Sequence, residues 1–431
     1  MPLPVYSFDQ YKRSHPATTL SDYPHEKQQV LDIIEAVRRD GDEALYRYTR
    51  KFDQARLDQL QAGADEISEA AGLVEPDLLD AIREAKENIE RFHLRQLETG
   101  WWENGPGWLA GQRVVPLQRV GAYIPGGTAA YPSSVLMTVI PARVAGVREV
   151  FLCTPPDTDG KVNPLTLAAA RLAGATAVYK VGGAQAVAAM AYGTETVPAV
   201  QKIVGPGNIF VTLAKKEVFG QVGIDMLAGP SEIVIVAGEG ANPSYIAADL
   251  LSQAEHDPLS RSILITYSET LAGQVRDHLA EQLETLPRKE IAGQSLHQHG
   301  AIIMVPGLEG AWPVVNELAP EHLELHLEEA WSCLENITSA GAIFIGPYTP
   351  ESLGDYWSGS NHVLPTGTAA RYASPLGVAD FMKRSNVLCY TSGALQRAAP
   401  KIAALSRAEG LEAHARAVLI RRPNDDSPEK N

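Results

Sequence analysis

The sequence predicts an α/β protein in which parallel strands are covered by helices on both faces. Three observations lead there. From residue 147 short β-rich runs alternate with Ala-rich helical runs, and strand–helix alternation yields parallel pairing. Glycine-containing loops punctuate that alternation, several of them directly after a predicted strand. The N-terminal ~100 residues carry amphipathic stripes suited to helices that cover a sheet.

Taken in order, Val30, Ile33, Ile34 and Val37 share one helical face, and Gly41 is the expected stop. Asp42 is expected to cap a second helix through Ala44, Leu45 and Tyr48. Asp77 is expected to cap a third, whose stripe is Leu78, Ile82, Ala85, Ile89 and Phe92. Strands are then predicted at Val147–Cys153, Ala177–Val181, Lys202–Val204, Val222–Asp225 and Ile233–Val236. The helices between them are Leu165–Leu172, Ala184–Tyr192 and Ile209–Val218. Asn242 followed by Pro243 opens a helix that runs to about Glu255. Ser262–Thr266, Ala301–Val305 and Ala342–Ile345 read as further strands. The last ~55 residues lack a strand rhythm and read as a helical tail.

The 431 residues exceed one ordinary domain. No apolar run reaches the ~18 residues of a membrane span, and the N-terminus has no signal-peptide core. A net charge of −15 disfavours nucleic acid or an anionic membrane as partner. Cys153, Cys333 and Cys389 form no CxxC pair, so a reducing cytoplasm is expected. Any metal would then be held by His, carboxylate or amide groups.

Four loops line the first α/β stretch: Pro125-Gly126-Gly127, Gly182-Gly183-Ala184-Gln185, Gly205-Pro206-Gly207-Asn208 and Ala228-Gly229-Pro230-Ser231. Glycine lets backbone approach a ligand, and a helix opening after the loop offers free N–H groups to an anion. There is no GxGxxG fingerprint, so the standard dinucleotide grip is not expected.

The polar residues gather in the second stretch. Gln253 and His256 stand at i and i+3 on a predicted helix, Asp355 follows a glycine, and His414 lies in the tail. Such a nitrogen and oxygen set suits Zn²⁺, although each histidine could equally serve as a hydrogen-bonded structural residue. Glu321 and His322 are adjacent and offer two general bases of different pKa; a solvated pair at the end of an element is the plainer alternative. His297, His299 and His326 read as structural or exposed. His362 is either a loop residue at the site or a local turn anchor.

At these residues the chain resembles the histidinol dehydrogenases over about residues 30–420. The motifs are VGAYIPGGTAAYPSSVLMTVIPARVAG, VGGAQAVA, GPGNIFV, IDMLAGPSE, DLLSQAEHDP, APEHLEL, GDYWSGSNHVLPTGTAARYASPLGVADF and EGLEAHARAV. The resemblance implies oxidation of L-histidinol to L-histidine through L-histidinal, with two NAD⁺ and water, at the end of histidine biosynthesis. It implies one zinc per subunit on Gln253, His256, Asp355 and His414, with Glu321 and His322 catalytic. Ser231 and Glu409 match substrate-binding positions, together with the ligand residues and His322. Tyr123, Gln185 and Asn208 match NAD-contacting positions.

The fold it implies is a pair of incomplete Rossmann-like α/β domains, similar to aldehyde dehydrogenases, with small N- and C-terminal helical pieces. The expected division is an N-terminal extension (1–25), a discontinuous first domain with the zinc and catalytic residues (26–122 and 238–375), a second domain with the glycine loops and NAD (123–237), and a tail (376–431). The implied assembly is a cytoplasmic homodimer whose tail reaches the partner's site. Rival readings are a paralogous zinc and NAD alcohol dehydrogenase acting on a sulfonated propanediol, a zinc hydrolase using Glu321, and a non-catalytic zinc protein.

Overall fold

Helices and strands alternate along most of the chain in the computed structural model, which describes residues 3–16, 20–126 and 130–422. Gly127 of the first glycine loop and the polar end, Asp425 to Asn431, lie outside the described residues. Two compact units form. The larger comprises Met1–Gln96 and Leu117–Phe381, the smaller Leu97–Pro116 and Met382–Asn431.

The larger unit holds two parallel sheets. One has five strands in the spatial order Ala177–Lys180, Glu149–Thr154, Arg119–Tyr123, Lys202–Val204, Gly223–Ile224. The other has six, in the order Val5–Tyr6, Ala301–Met304, Arg261–Thr266, Glu232–Ala237, His322–His326, Ala342–Ile345. Leaving aside Val5–Tyr6, each sheet has the chain order 3-2-1-4-5. Strand order reverses between the first and fourth strands, and the crevice at the carboxyl ends there is where ligands commonly bind in open α/β sheets. The two sheets thus share one topology.

Burial explains the strands. Glu232–Ala237 is central and buried along its whole length, so EIVIVA reads as a nearly continuous apolar run. Each fully buried Val or Ile there contributes roughly 1.5–3 kcal/mol. Ile233 and Ile235 pack beneath the helices Pro243–Ala254, Glu269–Leu283 and Lys289–His299. Val234 and Val236 pack on the opposite face with Trp312 and Val315. Strand His322–His326 pairs with it in the register His322 to Ile233, Glu324 to Ile235 and His326 to Ala237. His322, Glu324 and His326 therefore share the face that looks toward Pro243–Ala254.

Several expectations needed correction. Glu232–Ala237, expected in the 123–237 domain, is the centre of the six-stranded sheet. Arg119–Tyr123, expected mostly before that boundary, is the centre of the five-stranded one. Asp42 does not cap: it is the first residue of its helix, Gly41 is the N-cap, and the Asp42 carboxylate accepts from Thr196 instead. Asp77 likewise lies inside the first turn of Pro76–Leu94, where its charge favours the helix dipole. Asn242 does cap, accepting the Ser244 N–H at 2.9 Å.

The smaller unit departs furthest from expectation. Met382–Tyr390, within the supposed helical tail, is a strand antiparallel to Trp108–Pro116, which also pairs with Trp101–Gly105. Helices Ser392–Ala408 and Glu412–Leu419 follow. Its sheet leaves Trp101, Trp102, Leu388 and Tyr390 exposed. Among the described residues no helix is long and apolar enough to cross a membrane.

Candidate functional site

The catalytic candidates stand where strand His322–His326 enters the six-stranded sheet beside Glu232, the first residue of the central strand. Glu321 and His322 are both buried. Glu232 holds the two with its own backbone. Its N–H donates to Glu321 Oε2 at 3.0 Å, and its carbonyl lies 3.2 Å from His322 Nδ1. Gln253 Oε1 is 3.1 Å from the same Nδ1. With two acceptors facing it, Nδ1 carries the proton, and Nε2 is left as the lone-pair nitrogen. Nε2 is buried and has no hydrogen-bond partner among the described residues; the nearest carboxylate, Asp355 Oδ1, is 3.8 Å away.

Burial lowers the His322 pKa to about 4, against the opposing pull of Asp355. The imidazole is therefore neutral at neutral pH and free to accept a proton. Burial pushes Glu321 the other way, well above the usual carboxylate range. The Glu232 N–H opposes that rise, while the Glu232 and Asp355 charges add to it. A carboxylate that binds its proton more tightly than an exposed glutamate is better matched to base chemistry near neutral pH.

Two further elements complete this region. Helix Pro243–Ala254 ends before His256, so Gln253 is helical while His256 lies in the turn just after it, its N–H toward the Gln253 carbonyl at 3.3 Å. Helix Glu351–Tyr356 brings Glu351 and Asp355, spaced i and i+4. Its first N–H donates to Glu324 Oε1 at 2.7 Å, which fixes the helix to strand His322–His326. Ligand atoms of His256, Glu351 and Asp355 all lie within 4.8 Å of one another, a spacing that would admit a cation. His256 remains open to solvent, yet the atoms around it lower its pKa through burial, opposed by Asp355. The buried Gln253 Nε2 has no partner among the described residues. The Gln253 carbonyl oxygen, which keeps a second lone pair beyond its contact with His322 Nδ1, joins an imidazole and carboxylates as a donor set that fits a metal of borderline softness.

Glu351, Glu232 and Phe344, whose ring centroid is 6.0 Å from that of His322, were not anticipated. The spacing Glu351–Asp355 could have been read from ESLGDY. The backbone role of Glu232 has no side-chain signature. His362 bridges by its ring, with Nδ1 3.1 Å from the Asp355 carbonyl and Nε2 3.4 Å from Ser134 Oγ. Ser231 directly precedes Glu232, and its carbonyl accepts from Arg261. Glu409 and His414 belong to the smaller unit and are exposed there. His326 is buried with Glu324 and Asp249, and the three form a second close group of ligand atoms.

The nucleotide candidates lie at the carboxyl ends of the five-stranded sheet. A cleft of about 1170 Å³ is lined there by Tyr123, Gly126, Gly183, Gln185, Asn208 and Phe52, among others. Tyr123 ends the first strand and Gly205 follows the fourth, so the two flank the topological switch point. The Tyr123 hydroxyl accepts the Gly183 N–H at 3.1 Å. Asn208 caps helix Ile209–Val218, its Oδ1 facing the N–H groups of Phe210 and Val211. Gln185 is buried with Oε1 unpartnered among the described residues. A glycine-lined cleft with an orphaned amide and two helix N-termini fits a dinucleotide.

Comparison with known proteins agrees in one direction. A family model described as histidinol dehydrogenase matches residues 17–422. A histidinol dehydrogenase of Moorella thermoacetica is 55% identical over 395 residues, covering 91% of this chain and 93% of that protein. One from Bacillus cereus is 52% identical, covering 92% of each. The crystal structure of histidinol dehydrogenase from Elizabethkingia anophelis superposes with a TM-score of 0.90 at 40% identity, covering 97% of this chain and 98% of that one.

Proposed function

The chain belongs to the histidinol dehydrogenase family, and from that premise we propose that Glu321 and His322 divide the acid–base work of its reaction beside a zinc ion. The protein is an NAD-dependent oxidoreductase acting on histidinol, a small-molecule substrate. The rival reading as an alcohol dehydrogenase for a sulfonated propanediol finds no support among these relatives.

One observation carries the division of labour: the His322 ring is clamped at Nδ1 by two acceptors, and Nε2 is left bare. Nε2 takes the alcohol proton as the carbinol carbon is oxidised to the aldehyde. Glu321 takes a proton from water as its oxygen attacks the aldehyde carbon, and protonated His322 returns its proton to the former aldehyde oxygen, which gives the hydrate and leaves Nε2 bare again. His322 accepts the second hydroxyl proton as the hydrate becomes the acid. Burial of both groups keeps bulk water from competing for the intermediate.

His256 and Asp355, with Gln253 and His414, would hold the zinc through nitrogen and oxygen donors. Zinc, when bound, supplies a Lewis-acidic template for the amine and imidazole of the substrate. Tyr123, Gln185 and Asn208 are assigned to NAD, which when bound accepts the electrons. Ser231 and Glu409 are assigned to the substrate. Because Glu409 and His414 sit in the smaller unit with its exposed Trp101, Trp102 and Leu388, we assign a homodimer in which this unit meets the partner. Unpaired cysteines are in keeping with a cytoplasmic setting.

Metal removal tests the zinc. Exhaustive chelation is expected to abolish histidinol-dependent NADH formation, with recovery on addition of one equivalent of Zn²⁺ per chain. Full turnover by protein shown to be metal-free by elemental analysis would refute it.

A further inference from the structure

Lys215 and Asp225 form an ion pair that is almost fully buried, at 2% and 1% side-chain exposure. Nothing in the reaction described above uses either charge. Burying two charges costs several kcal/mol per ion before their attraction is counted, and an apolar pair of similar volume often serves stability as well. The pair is therefore poorly explained as a stabiliser alone, and its remaining bonds indicate another role.

Besides the Met226 N–H, which donates to Asp225 Oδ1 at 2.6 Å, those bonds converge on one residue. Lys215 Nζ donates to the Gly205 carbonyl at 2.9 Å, and the Gly205 N–H donates to Asp225 Oδ2 at 2.7 Å. Both polar groups of a single peptide residue are thus gripped by the two halves of one ion pair. Gly205 needs the grip. Its φ is +107°, a conformation that L side chains rarely adopt, and a Cβ there would overlap the Tyr123 carbonyl oxygen. The residue lies against the end of the first strand, across the switch point, at the start of the loop that leads to Asn208. The helix that supplies Lys215, Ile209–Val218, begins directly after that loop. Lys215, Asp225 and Gly205 therefore form one closed ring of contacts, joined through the loop to the helix N-terminus.

We propose that Lys215 and Asp225 are positioning residues for the dinucleotide. The buried pair fixes Gly205, and through it holds Asn208 and the N-terminus of Ile209–Val218 in the geometry that receives NAD. Neither side chain lines the cleft, so neither is expected to touch the nucleotide. This inference rests on the assignment of the cleft to NAD.

The experiment measures NAD affinity by calorimetry and both Michaelis constants on zinc-loaded protein. The variants are Lys215→Met, Asp225→Asn, the apolar pair Lys215→Met/Asp225→Leu, and Asn208→Ala. Loss of a buried hydrogen bond to a charged group should weaken NAD binding by about ten- to a hundredfold in the pair variants. The histidinol KM should stay within about threefold, because none of its assigned residues lies on the five-stranded sheet or lines the cleft. A pair acting only on stability would lower the melting temperature without separating the two constants. If a single variant strands a charge and does not fold, the apolar pair decides. Folded protein with weak NAD binding supports the proposal, and folded protein with wild-type NAD affinity overturns it. Equal rises in both Michaelis constants also overturn it. Asn208→Ala separates the premises: if it leaves NAD affinity unchanged, the assignment of the cleft fails. If it weakens NAD while the pair variants do not, only the positioning role fails.

Discussion

Replacing Glu321 by Gln should separate the two oxidations that one site performs. The substitution is nearly isosteric, and the amide oxygen can still accept the Glu232 N–H now held at 3.0 Å by the carboxylate. It also removes a buried acid whose pKa burial has raised well above the carboxylate range, so folding should not suffer. What disappears is the base. Loss of a positioned general base costs about 10²–10⁴ in rate, or roughly 3–5 kcal/mol of barrier. Water activation belongs only to the aldehyde step, so that loss should fall on histidinal oxidation. Single-turnover NADH formation from histidinol should slow far less. His322→Gln is the control, because the bare His322 Nε2 is assigned to both steps and both should collapse. Stopped-flow absorbance with each substrate provides the comparison. Equal loss of the two steps in the Glu321→Gln protein would refute the division of roles.

Two other consequences can be checked. A heterodimer of His322→Ala and His414→Ala chains has one fully intact site if the smaller unit acts across a twofold interface. It should recover about half of one wild-type dimer's activity, whereas an inactive heterodimer of confirmed mass would place His414 with its own chain. The second consequence concerns pH. Burial raises Asp249 to about 8, with the nearby Glu324 charge adding to the rise, and burial raises Glu324 itself to about 7. The folded state then keeps protons that the unfolded chain has lost above about pH 4, so these carboxyls make stability fall as pH rises toward 8. Burial lowers His326, which opposes this trend only below about pH 6.5. Between pH 6.5 and 8.5 the wild-type melting temperature should therefore drop more steeply than that of Asp249→Asn, and parallel curves would contradict the assignment.

Legibility in the sequence followed burial. EIVIVA and the Ala-rich helices were readable because both faces of a central parallel strand, or most faces of an enclosed helix, are apolar. Met382–Tyr390 was not, because its side chains are mostly exposed and give no alternation to read. HLELH hid for the opposite reason: His322, Glu324 and His326 occupy a buried face with polar side chains, which inverts the usual pattern. The position of Glu232–Ala237 could not be read either, since strand order is set by pairing partners far away in the chain. In the candidate site, Glu321, His322, His256 and Asp355 were legible as residue types and as family motifs. The clamp on His322 was not, because the Glu232 carbonyl is backbone and every residue has one.

A cation site beside the buried His322 is central to the proposed reaction. Anomalous diffraction at the zinc edge, on crystals of the zinc-loaded full chain, tests it most directly. A single strong peak bonded to His256 and Asp355 is predicted, at the Zn–N and Zn–O distances of ~2.0–2.2 Å typical of such ligands. A peak at the other buried cluster, Asp249, Glu324 and His326, with none at His256 and Asp355, would contradict the account.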